Sequence, residues 1–158
     1  MFIRAGVKDN EISIGGVENM CMMVYVGSDN DLPLVVWKNG SSLVVKALNV
    51  ERREDKFANE HLTKEHRYSV GSWQGCGCGF SFNFSDEYYS EEDNIRGKQS
   101  IEALFDYIRD NVMGDNCELL SFWAGEGIKH NPETLDIQNF DFGDSFEFLE
   151  GQYLTVKK

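Results

Sequence analysis

Short apolar runs separated by turn residues occupy most of this chain, and a single stretch carries a helical stripe instead. Met20 to Gly27, MCMMVYVG, is almost continuously apolar and rich in strand formers, which predicts a central strand buried on both faces. Ser28-Asp29-Asn30-Asp31 then reads as a turn, because short polar side chains bond back to their own backbone. Leu34 to Trp37 and Leu43 to Leu48 read as two strands joined through Lys38-Asn39-Gly40-Ser41, whose Asn-Gly pair is a hairpin signal. Arg67 to Ser72, Gly79 to Phe84, Cys117 to Trp123, Ser145 to Leu149 and Gln152 to Val156 are further strand-like runs. In the second of these, Phe80, Phe82 and Phe84 fall on one face, with Ser81 and Asn83 on the other.

Ile101, Leu104, Phe105, Ile108 and Val112 stand at i, i+3, i+4, i+7 and i+11. That stripe predicts a helix over residues 101–113, capped by Ser100 and stopped by a left-handed Gly114. Asn49 to Glu65 is charged and sparse in apolar residues, so it reads as an irregular or partly helical connector. Residues 85–98 include Asp86, Glu87, Glu91, Glu92 and Asp93 and read as a solvated acidic loop. This loop lacks the carboxylate ladder and central glycine that a calcium-binding loop needs. Asn131-Pro132-Glu133 reads as the opening of a short helical turn, and residues 1–19 as a peripheral arm or first hairpin. The expected architecture is one α+β domain over residues 1–158, with a mostly antiparallel sheet of about five to seven strands and the main helix on one face.

Composition narrows the function classes. A chain of 158 residues with 41% hydrophobic and 13% aromatic content buries a core without disulfide staples. Its net charge of −12 opposes binding to nucleic acid or to an anionic membrane, and would suit a basic protein partner. No run of 18 apolar residues predicts a membrane span, and the first residues lack the apolar segment of a secretory signal. The expected location is the cytoplasm, where Cys21, Cys76, Cys78 and Cys117 stay reduced.

Chemistry concentrates in Val70 to Phe84, VGSWQGCGCGFSFNF, where two cysteines one residue apart sit among Gly71, Gly75, Gly77 and Gly79. A tight bend of this kind can present two thiolates to a metal, and a structural zinc would need two more ligands. Cys21 is the candidate third ligand if strand 20–27 neighbours the bend, with His66 or Cys117 as fourth. The same sulfurs could instead form a strained, labile disulfide, or supply a nucleophile if His61, His66 or His130 approaches as base. The plainer reading makes the cysteines small buried hydrophobes in a glycine-permitted bulge. An anion-binding nest of glycine amides is disfavoured, because neither a helix nor a Lys-Ser/Thr pair follows. A second constellation, Tyr68, Trp73, Trp123 and Glu126, would make an aromatic pocket with one carboxylate if the two strands adjoin, and ordinary core packing competes with it.

Cys21-Met22-Met23-Val24-Tyr25-Val26 with Ser28-Asp29, Tyr68-Ser69-Val70-Gly71-Ser72, Gly75-Cys76-Gly77-Cys78-Gly79-Phe80, Phe122-Trp123-Ala124-Gly125-Glu126 and Phe146-Glu147-Phe148 form a set of landmarks. The set resembles a family of small bacterial proteins with a GCGCGF motif, which implies a single cytoplasmic bacterial domain and transfers no catalytic residue. On these grounds the leading expectation is a non-enzymatic binding or regulatory protein without a cofactor. The alternative is a thiol- or zinc-dependent protein centred on Cys76-Gly77-Cys78.

Overall fold

The computed structural model describes residues 21–158, so the arm expected over 1–19 lies outside the described residues. The main sheet is built from β1 (Met22–Ser28), β2 (Val44–Ala47), β3 (His66–Gly71), β5 (Asn116–Trp123), β6 (Glu133–Asp136) and β8 (Gln152–Lys157). Its order is β2-β3-β1-β5-β8-β6, and β4 (Phe82–Asn83) pairs with β7 (Ser145–Phe146) as a separate ribbon. Among the described residues two α-helices, α1 (Arg53–His61) and α2 (Glu91–Asn111), complete the α+β fold. Every pairing in the main sheet is antiparallel except that of β6 with β8.

The apolar run of β1 is buried on both sides, as its lack of alternation implies. Val24 and Val26 join Val70, Leu119, Ile101, Leu104, Phe105 and Ile108 in a core under α2. Tyr25 faces the other way, with Ala58 and Leu62 from the α1 side and with Leu120 and Phe122 of β5. A helix therefore covers each face of the sheet, and the charged connector expected over 49–65 supplies one of them. Buried Asp55 holds α1 down: it accepts from Tyr25 Oη at 2.7 Å and from Asn49 N–H at 2.8 Å.

Several boundaries differ from expectation. α2 starts ten residues before Ile101, so the acidic loop ends at Ser90 rather than at Lys98. Ser90, not Ser100, is the cap, accepting from Asp93 N–H at 3.0 Å. Glu91, Glu92 and Asp93 fill the first turn, where negative charge complements the helix dipole. Ser100 is buried mid-helix and accepts from Trp73 N–H at 3.0 Å. The helix ends at extended Val112, and Gly114 keeps an ordinary φ. The strand expected over 79–84 shrinks to Phe82–Asn83 because the glycines before it form a turn. Leu34 to Trp37 contributes one bridge, Val35 to Val45, although the Asn-Gly turn does form, with Gly40 at φ 92°. Asn131-Pro132-Glu133 leads into parallel strand β6 instead of a helix. Among the described residues no helix is long and apolar enough to cross a membrane.

Candidate metal centre

The start of β1 and the end of β3 meet at one end of the sheet. Cys21 is fixed there because its carbonyl accepts from Ala124 N–H, just past β5, at 2.9 Å. The chain leaving β3 is closed into a loop by Ser72, whose N–H and hydroxyl both donate to the Cys76 carbonyl, at 2.8 and 2.6 Å. Gly75 N–H returns to the Ser72 carbonyl at 2.8 Å, with Gly75 in the left-handed region at φ 88°. Gly77 to Gly79 then form one 3-10 turn, and Phe80 N–H donates to the Gly77 carbonyl at 3.1 Å.

Gly77 is needed for a different reason from Gly75. It lies flat against β1, where an added Cβ would meet the Met22 carbonyl oxygen at 2.7 Å and Val24 Cγ2 at 2.6 Å. Only a residue without a side chain lets the bend approach the strand so closely. That approach brings Cys76 and Cys78, on either side of Gly77, to Cys21.

The Sγ atoms of Cys21, Cys76 and Cys78 all lie within 4.8 Å of one another, and each residue is half-buried. Met22 N–H donates to Cys78 Sγ at 3.2 Å, an interaction that favours a sulfur carrying negative charge. The three thiols titrate as a set. Cys76 is held well below the usual thiol range, because Cys21 first and Cys78 second donate hydrogen bonds to its sulfur. Cys21 is raised chiefly by the bond it gives Cys76, and Cys78 by its bonds to Cys21 and Cys76 and by burial. The three sulfurs therefore share their protons through mutual hydrogen bonds. Tetrahedral ligands about 2.3 Å from zinc stand roughly 3.8 Å apart, so a shift of about 1 Å closes the set around an ion. This group could hold a metal.

Beside the thiols a cleft of about 440 Å³ opens to solvent. Cys21, Met23 and Cys76 line it together with Lys46 of β2 and with Arg52 and Arg53 at the start of α1. These three basic residues come from segments that sequence patterning marked only as strand and connector, and nothing local in the sequence links them to Cys76.

The other candidate ligands lie elsewhere. β1 and β3 run antiparallel with Ser28 opposite His66, which puts His66 at the far end of β3, roughly 17 Å of strand from Gly71. Its nearest acid there is Asp31, at 3.9 Å. Cys117 is at the start of β5, opposite Val156, and is fully buried, with its thiol pushed up to about 12 by desolvation first and Glu118 second. His61 caps the remote end of α1, stacked on Phe57, and His130 lies in the loop that bonds to Gly151. Neither joins the cysteines, so the structure does not bring a histidine base to the thiols.

The aromatic constellation is dispersed. Tyr68 spends its hydroxyl on Leu32 N–H and the Asp31 carboxylate, toward the far end of the sheet. Trp73 packs on α2, with the Arg96 guanidinium 5.1 Å from its ring centre. Trp123 ends β5 opposite Met22, and exposed Glu126 pairs with Lys129.

Comparison with protein-family models, with curated proteins and with solved structures finds no match.

Proposed function

We propose that this chain is a thiol-dependent metal-binding protein whose centre is Cys21, Cys76 and Cys78, and that zinc is the ion it takes. The convergence of three sulfurs within 4.8 Å, drawn from segments 55 residues apart in sequence, carries this reading. Thiolates select soft or borderline ions, and zinc has no geometric demand that three sulfurs and one further ligand would fail. The Met22 N–H on Cys78 Sγ supplies the outer hydrogen bond that orients a ligating thiolate. Three protein ligands leave a fourth position for water or a small molecule, in the pattern of zinc sites that do chemistry rather than only hold a fold.

The reading is tested by elemental analysis of untagged protein purified under reducing conditions without chelator. About one zinc per chain is expected, lost in the Cys76→Ser/Cys78→Ser double variant and retained in Cys117→Ser. Folded protein that takes up no zinc from an added stoichiometric supply would overturn it.

A further inference from the structure

The cleft beside the thiols carries a charge opposite to that of the chain. Lys and Arg number 15 against 27 Asp and Glu overall. The charged lining of the cleft is nevertheless Lys46, Arg52 and Arg53 against Glu54 alone. Arg53 and Glu54 neutralise each other at 3.5 Å, whereas Lys46 and Arg52 form no ion pair among the described residues. Arg52 lines the same cleft as Cys21. Two cations without an ion-pair partner thus line the same space as Cys21 and Cys76. A volume of about 440 Å³ is within the range of small-molecule sites.

We infer that this cleft binds a small organic anion, its carboxylate or phosphate held by Lys46 and Arg52 and its body laid along the start of β1 toward Cys21 and Cys76. The site shares two sulfurs with the proposed metal centre but does not need a metal. With an ion in place, the bound anion would reach the fourth coordination position; without one, it would meet Cys76, which lines the cleft.

Two alkylating reagents of similar size and opposite charge character test the inference on the reduced full-length chain stripped of metal. Iodoacetate is anionic and iodoacetamide neutral; with either, the thiolate forms one S–C bond and iodide leaves with the bonding pair. A free thiolate, itself negative, favours the neutral reagent. The iodoacetate-to-iodoacetamide rate ratio at Cys76, read by peptide mass spectrometry, is expected to exceed that of 2-mercaptoethanol by about tenfold. The excess should fall as salt is raised and vanish in Lys46→Gln/Arg52→Gln, two exposed positions. A ratio equal to that of 2-mercaptoethanol, an excess unaffected by salt or by the double variant, or thiols that admit neither reagent would each overturn it. A chain that takes no zinc yet keeps the charge preference loses the metal reading alone; one that takes zinc without the preference loses the anion site alone.

Discussion

Gly77→Ala is the most incisive single substitution, because one methyl group separates the bend from the strand it must touch. The added Cβ would lie 2.7 Å from the Met22 carbonyl oxygen, a backbone atom of β1, where the following residues pair with both β3 and β5. That oxygen cannot retreat without moving the sheet, so the bend must withdraw by roughly half an ångström to reach ordinary contact. Overpacking of this kind costs about 1–3 kcal/mol. Gly77 has an ordinary φ, so alanine recovers about 0.4–1 kcal/mol by restricting the unfolded chain. The net loss is about 1–2 kcal/mol, or a fall in Tm of about 5 °C for a chain of this length. Withdrawal also lengthens the 3.2 Å bond from Met22 N–H to Cys78 Sγ, and zinc affinity should drop about tenfold. Gly75→Ala is the control: its Cβ meets nothing within 4 Å, and its cost of about 1–2 kcal/mol comes from φ 88° alone. Scanning calorimetry and competitive zinc titration on both variants decide the matter. A Gly77→Ala protein with unchanged Tm and affinity would refute the close-approach argument.

Three further outcomes follow from the same geometry. Zinc binding must displace the protons that the three sulfurs share, so apparent affinity should rise with pH near neutrality in a competitive titration; an affinity independent of pH would contradict ligation by these thiols. Cys117, fully buried and raised to about 12, should resist thiol reagents until the protein unfolds, which a count of reactive thiols with and without denaturant checks. Buried Glu118 accepts from Thr63 N–H and hydroxyl, Lys64 N–H and Tyr153, and these bonds outweigh the upward pull of desolvation to leave its pKa below the ordinary 4.5. Its contribution is therefore full above the unfolded pKa and lost as pH falls through the lower folded one. Glu118→Gln should cost about 2–4 kcal/mol in urea unfolding at pH 7, with the gap from the native chain narrowing below pH 4.

The apolar pattern conveyed the elements whose burial is complete. β1, β5 and β8 are legible because their side chains meet core on at least one face along their whole length. The first turns of α2 were obscured because Glu91, Glu92 and Asp93 look like a solvated loop when counted as charge. The signal that locates them is Ser90 three residues before Asp93, a cap with acids in the first turn. β6 was hidden by Asn131-Pro132 and by its exposed edge position, where alternation carries little information.

At the site, Cys76, Cys78 and Cys21 could be named in advance because the glycines announce a bend and Cys21 heads the most buried strand. The fourth ligand could not, since strand direction decides it: antiparallel pairing sends His66 away from the bend it precedes by ten residues. The cleft was invisible for a similar reason. Lys46, Arg52 and Arg53 flank a turn between β2 and α1, and only the sheet order places that turn over the cysteines.

X-ray absorption at the zinc edge of the loaded protein tests the central claim most directly. About three sulfurs at about 2.3 Å with one lighter ligand are expected, falling to two sulfurs or to no bound zinc in Cys21→Ser and unchanged in Cys117→Ser and His66→Ala. A shell of nitrogen and oxygen alone, or a sulfur count that does not respond to Cys21, would contradict it.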